Sequence, residues 1–230
     1  MRLKKPRIDP KERGDWTKPE AKIMAPFVAD GADMNIFKTL LRHPDLMRRW
    51  MVFANHVLFK SSLPTREKEL VILRIGFLCQ AGYEWAQHVQ IARKAGLDDN
   101  GIKSAKIGPE ASGISELDKL LLMATDELHS DAFISDRTWN SMSEHLSEEQ
   151  MMDVVFTVGQ YNLVSMALNS FGVQLDDGIP GDALRKLSDL LRVTSLLFSV
   201  LFQTAVYPTQ WGIALISCLV KLGKPSHLVT

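Results

Sequence analysis

Arg66-Glu67-Lys68-Glu69-Leu70-Val71-Ile72-Leu73-Arg74, followed after a short gap by Tyr83-Glu84-Trp85-Ala86-Gln87-His88, is the stretch on which the reading of this chain turns. Leu70, Leu73, Phe77 and Leu78 recur at mixed helical spacing, with Val71, Ile72 and Ile75 between them. Such a helix is apolar over most of its circumference, which predicts a buried central helix. Ala81-Gly82 predicts a bend or break, because glycine releases the backbone from helical geometry. Tyr83 to Ala95 resumes the helix, and Gly96 stands where a left-handed cap belongs. Glu69 and Arg74 are charges inside the apolar helix and therefore require partners.

Outward from this stretch the pattern is helical nearly throughout. A short helix follows Pro19, another covers Asn35 to Arg42, and Pro44 opens one over Asp45 to Phe59. Ser61 to Pro64 breaks the pattern, and Thr65 can cap the central helix. Asp98 can cap a short helix ending near Lys106. Leu117, Leu120, Leu121, Ala124 and Leu128 form the apolar stripe of a helix over Ser115 to His129. Ser147 with Gln150 gives a capping box for a long helix to about Phe171. Strand signals are almost absent, so the fold class is all-α. The expected organisation is an irregular arm over 1–18, with Arg2 to Arg7 as a frayed tail, then a helical domain over 19–178 and an apolar extension over 179–230. In that extension Val193 to Val220 carries no charge. Its length permits a membrane span, but Gln203, Thr204, Pro208, Thr209 and Gln210 near its middle oppose one. Helices packed on the domain or on a partner subunit, a membrane-associated hairpin or span, and a poorly ordered extension all remain open.

Composition removes several function classes. Lys+Arg and Asp+Glu both number 27, and this charge balance gives no basic excess for a nucleic-acid partner. The two cysteines, Cys79 and Cys218, form neither a CxxC nor a zinc pattern, so a disulfide scaffold is not expected and a reducing compartment fits. Arg2 to Trp16 lacks the charged-then-apolar order of a signal peptide, which leads to an expected cytoplasmic location, with membrane association through 193–220 as the alternative. No glycine-rich phosphate loop or His/Cys ligand cluster stands in the chain, so neither a metal nor a cofactor is expected. His43, His56, His129, His145 and His227 have no ligand spacing and read as surface or satisfied histidines.

The chemistry-bearing pair is Glu84 and His88. Four positions apart on one helix, they share a face and can meet. A carboxylate beside an imidazole fixes the ring and raises its basicity, or relays a proton. A solvated i,i+4 ion pair is the plain alternative, although the flanking Tyr83 and Trp85 are unlike a solvated face. Glu69 lies 15 positions before Glu84. On one straight helix that is about 22 Å, too far to touch; only a bend at Ala81-Gly82 would fold it back.

The stretch Leu63 to Ile102 resembles the signature of the carboxymuconolactone decarboxylase and alkyl-hydroperoxidase D family: Arg-Glu-x-Glu-Leu-x-Ile-Leu-Arg, then Tyr-Glu-Trp-x-x-His, then a spacer to Ala-Gly-Leu. A looser likeness runs from about Ile36 to Asp177. The resemblance implies a bundle of about seven to nine helices, a homo-oligomer (dimer, trimer or hexamer), a small-molecule substrate and a site between helices. In the hydroperoxidase branch the catalytic set is a Glu, a CxxC pair and a His. Glu69 and His88 take the places of that Glu and His, while the two cysteine positions fall on Ala81 and Glu84. Thiol peroxidase chemistry lacks both its nucleophile and its resolving thiol there. The decarboxylase branch implies acid/base chemistry on a carboxylated lactone or related small organic acid. For it His88 is the candidate acid/base, oriented by Glu84, with Glu69 as relay. Arg74 is the candidate carboxylate anchor, and Tyr83 and Asn162 are candidate substrate contacts. Two other readings stand beside it. One is an antioxidant peroxidase using Cys79, which requires an accessible thiol of depressed pKa near His88. The other is a non-catalytic oligomeric member, which requires that no pocket open at the signature.

Overall fold

The structure is a computed structural model and describes residues 2–180. Among these residues it is all helical: a 3-10 turn at Arg13–Asp15, then α1 Lys18–Ala29, α2 Asn35–Leu40, α3 Pro44–Phe59, α4 Thr65–Leu78, α5 Gly82–Lys94, α6 Asp99–Ile107, α7 Glu116–Asp131, α8 Asp136–Ser143 and α9 Glu148–Phe171. The expected apolar extension lies outside the described residues. No helix among them is long and apolar enough to cross a membrane.

The starts of these helices follow from local chemistry. Asp98, Ser115 and Ser135 each accept a backbone N–H of the first turn, and Ser147 with Gln150 completes a capping box at α9. The α4 boundary differs by one residue from the sequence reading. Pro64 is the cap and Thr65 lies inside the first turn, because proline's fixed φ suits the entrance to a helix and its missing N–H costs nothing there. At the far end of α3, buried Lys68 on α4 donates to the orphan carbonyl of Leu58 at 2.5 Å.

Helix α4 is the axis of the bundle. Every residue from Lys68 to Gly76 is buried, and α5, α6, α7 and α9 all pack on it. Val71, Ile72 and Ile75 face α7 and α9 through Leu121, Ala124, Val154 and Val158. Leu70 and Leu73 face Trp85, Leu97 and Leu122. Each large apolar side chain removed from water here contributes roughly 1.5–3 kcal/mol. Arg66 holds the start of α4 to α7 by a two-pronged bond to Asp118 at 2.7 and 2.8 Å.

The break at 79–81 reverses the chain. Gln80 adopts a left-handed φ of 52°. Its N–H reaches Phe77 O at 2.9 Å, and the Ala81 N–H reaches Gly76 O at 2.9 Å. This is the two-bond helix ending that usually places glycine at the left-handed position; here glutamine occupies it. The reversal lays α5 against α4. A Cβ at Gly76 would stand 3.4 Å from Glu84 Cγ, an ordinary van der Waals contact, so α4 passes directly beside the Glu84 side chain.

The N-terminal arm is docked rather than frayed. The Arg7 and Ile8 N–H groups both donate to Phe171 O, at 2.8 and 3.2 Å. Arg2 Nη2 donates to Cys79 O at 3.0 Å, and Arg42 Nε donates to Asp9 O at 3.0 Å. Lys11 grips Glu20 at 2.6 Å. That contact, with the Thr17 backbone and hydroxyl, holds the Glu20 carboxyl down at about 2. Gly172 ends α9 at φ 72°, and a Cβ there would meet Lys5 O at 2.9 Å. The arm and the glycine cap are therefore fitted to one another.

Candidate functional site

Three side chains meet where α4 and α5 face each other. His88 Nδ1 is 2.7 Å from Glu69 Oε2, and His88 Nε2 is 2.9 Å from Glu84 Oε1. Glu69 is fully buried, and Glu84 and His88 are nearly so. The reversal at Gln80 brings Glu69 and His88 together across 19 positions of sequence. The ring of Tyr161 from α9 stands edge-on to the imidazole, with centroids 5.0 Å apart.

The electrostatics follow from this enclosure. Burial by itself favours neutral imidazole. The two carboxylates, through charge and hydrogen bonding, outweigh it and raise the His88 pKa from 6.5 to about 10. At neutral pH the ring is therefore an imidazolium giving one N–H to each carboxylate. Among the described residues the buried Glu69 Oε1 has no hydrogen-bond partner, so there the inner carboxylate directs its bonding to His88. Burial first, then the charges of Glu84 and Glu69, push the Tyr161 phenol well above its usual value.

A cavity of about 1000 Å³ opens onto this cluster between α1–α3 on one side and α5 and α9 on the other. Tyr83, Glu84, Gln87, His88, Gln160 and Tyr161 form its polar floor. Ile23, Phe27, Phe37, Trp50, Met51 and Val164 are among the apolar side chains of its walls. Exposed Lys22, Arg48 and Lys60 also line it. Glu69 lies behind His88 and does not line the cavity.

The other sequence candidates are placed differently. Arg74 is absent from the cavity lining. Its Nε and Nη2 clamp Asp126 of α7 at 2.5 and 2.7 Å, and its Nη1 donates to the carbonyls of Ala105 and Lys106 at the end of α6. Its donors are committed to holding three helices together, so the expected role as a carboxylate anchor gives way to a structural one. Asn162 also lies outside the lining. Its Oδ1 accepts from Cys79 Sγ at 3.0 Å, because neighbouring helix positions are turned ~100° apart and Tyr161 occupies the direction of the site. Tyr83 reaches the cavity, but its hydroxyl donates to Asp176 Oδ2 at 2.5 Å, and Gln87 Nε2 donates to the same oxygen at 2.7 Å. Burial first and Asp176 second raise the Tyr83 phenol. Cys79 sits half-buried at the end of α4, 3.9 Å from His129 Nδ1. Burial raises its thiol, where a redox role called for a depressed one. Among the described residues no group of three or more His, Cys, Asp or Glu could hold a metal ion.

Tyr161 and Asp176 were not singled out from sequence. The buried positions Val154, Val158, Tyr161, Ser165 and Leu168 alternate at spacings of four and three along α9. That stripe is the signal that points to Tyr161 rather than Asn162.

The carboxymuconolactone decarboxylase family model matches residues 44–107, from the start of α3 to the end of α6. Among solved structures the chain is similar to an uncharacterized peroxidase-related protein with an alkylhydroperoxidase AhpD core from Ralstonia eutropha JMP134. The two share 17% identity at a TM-score of 0.67, over 76% of this chain and 94% of that one. An uncharacterized peroxidase-related protein from Silicibacter sp. TM1040 shares 14% identity at a TM-score of 0.62, over 78% and 94% of the two chains. The debrominase Bmp8 in its apo form shares 16% identity at a TM-score of 0.61, over 74% and 92%. At these identities the likeness is one of fold. No curated protein sequence matches at comparable stringency.

Proposed function

For a chain that belongs to the carboxymuconolactone decarboxylase/AhpD-like family, we propose a cofactor-independent enzyme that delivers or removes a proton at carbon, acting on a carboxylated lactone or related organic acid. One observation carries this reading: a buried imidazole bonded through both ring nitrogens to carboxylates, at the floor of a cavity. Because both nitrogens are engaged, the group offered to a substrate is the Glu84 carboxyl, with His88 behind it as proton store and Glu69 fixing the ring. In a decarboxylation the C–CO2 bond breaks and its electron pair stays on the substrate as an enolate. A proton passes from His88 Nε2 through Glu84 to that carbon, and solvent later restores the proton to His88. A positioned acid of this kind contributes about 10²–10⁴-fold to rate.

This assignment exchanges the expected roles of His88 and Glu84 at the substrate and drops Arg74. It requires no thiol, in keeping with Ala81 and Glu84 at the two cysteine positions. A Cys79 peroxidase draws no comparable support, since that thiol is turned to Asn162 and its pKa is raised. The cavity at the signature also counts against a purely non-catalytic member. A homo-oligomer accords with the exposed apolar stripe of Met152, Phe156, Leu163 and Met166 on α9.

The test is to incubate the protein in D2O with carboxylated lactones and enolisable acids, following CO2 release and deuterium uptake by NMR. Wild type and Cys79→Ser turn over alike, and Glu84→Gln and His88→Asn lose about 100-fold or more. Activity that depends on Cys79, or turnover confined to hydroperoxide with a dithiol, overturns the proposal.

A further inference from the structure

The cavity is larger and greasier than a compact lactone acid needs. At about 1000 Å³ it lies at the top of the ~300–1,000 Å³ range of sites that enclose drug-sized ligands. Phe27, Phe37, Trp50 and Met51 give its walls an aromatic and thioether character. A small polar acid would leave most of that surface against water, whereas burying it is favourable in proportion to area.

Charge is distributed unevenly around the same cavity. At the floor one imidazolium lies between two carboxylates, leaving a surplus of negative charge. Arg48 at the mouth is paired with Asp45, so among the exposed lining residues Lys22 and Lys60 stand against a single acid, Asp30. An anionic group is therefore repelled from the floor and attracted to the mouth, and the desolvated floor favours a neutral, polarisable part of the ligand.

We propose that the substrate is a bulky amphiphilic organic acid, an apolar body of two to four fused rings or equal bulk, held with an anionic group at Lys22 and Lys60 and its reacting carbon against Glu84. The identity of the reacting end rests on the acid/base reading above; the size and polarity of the ligand do not. The carbon that is protonated thus lies at the opposite end of the molecule from the anion held at the mouth, and a carboxylate lost from that carbon is a second anion, whose repulsion by the floor is relieved as CO2 departs.

The test uses the full chain and titration calorimetry with benzoate, 2-naphthoate and anthracene-2-carboxylate, with 2-naphthamide as the neutral control. Each added ring tightens binding by about five- to tenfold. A Lys22→Gln/Lys60→Gln double variant weakens 2-naphthoate by about fivefold and leaves 2-naphthamide unaffected. Ala54→Trp, which places bulk in the cavity wall, abolishes the gain from the third ring. A flat ring series, no binding by any member, or equal losses for acid and amide in the double variant overturns the inference. The two proposals fail separately. A rising series in a protein that exchanges no carbon-bound proton sinks only the acid/base reading. Turnover of small lactones with a flat series sinks only this one.

Discussion

Replacing Arg74 by methionine separates a structural clamp from a substrate anchor. Methionine keeps an apolar stem, which can still lie near Phe77, and deletes the guanidinium fork. The change leaves the Asp126 carboxylate without its two bonds and the Ala105 and Lys106 carbonyls without a donor. Breaking a buried ion pair by removing one partner costs about 3–5 kcal/mol. The Asp126 side chain is 32% exposed, so water recovers part of its loss and the figure falls near the lower end, about 3 kcal/mol. For a domain of this size each kcal/mol lowers Tm by about 2–4 °C, so Arg74→Met melts roughly 6–12 °C below wild type. Arg74→Lys keeps the charge but not the fork and recovers only part of the difference. Thermal melts by circular dichroism, paired with KM measurements on the folded variant, decide the matter. A Tm within about 2 °C of wild type together with a large rise in KM would refute the clamp and return Arg74 to the substrate.

Further outcomes follow from the same geometry. Because the His88 pKa is raised in the folded chain, its stabilising contribution is complete below the unfolded value near 6.5 and is lost as pH rises through about 10. At about 1.4 kcal/mol per pH unit its ceiling is on the order of 5 kcal/mol. Urea melts from pH 6 to 10.5 should show this decline in wild type, and His88→Asn should lack it; parallel curves for the two proteins would contradict the charged cluster. Gly172→Ala combines a left-handed residue with a contact against Lys5 O, and about 1–3 kcal/mol of stability is lost together with docking of the arm. An unchanged Tm, with the arm still protected from proteolysis, would rule that out. Cys79→Ser exchanges one half-buried donor to Asn162 for another, and stability changes by less than about 1.5 kcal/mol.

The bundle was legible because its signals are local and redundant. The apolar circumference of α4 and the caps at Asp98, Ser115 and Ser147 each act within one or two turns of helix. The Glu84–His88 pair was legible for the same reason, since four-residue spacing fixes it. The Glu69–His88 bond could only be left open. It depends on the direction taken by the chain after Gln80, and residue type sets that direction weakly at a non-glycine left-handed position. Arg74 shows the limit of reading a charge inside an apolar helix. Its need for a partner was visible, but Asp126, 52 positions away, meets that need as well as a substrate would. The arm misled because its anchoring bonds run from the Arg7 and Ile8 backbone to Phe171, which side-chain chemistry does not announce. The cavity was hidden for a related reason. Ile23, Phe37 and Trp50 are apolar types that fill a core as readily as they line a cavity, and only the packing of α1–α3 away from α5 leaves space between them.

The central claim is that His88 carries a proton held between two buried carboxylates, and the ring nitrogens report it directly. The measurement is ¹⁵N NMR of His88 from pH 6 to 11 in wild type and in Glu69→Gln. The account predicts both wild-type nitrogens protonated until the pH approaches about 10, with the transition falling by ~1–3 pH units when the inner carboxylate is neutralised. A ring already neutral at pH 8, or a transition unmoved in Glu69→Gln, would contradict it.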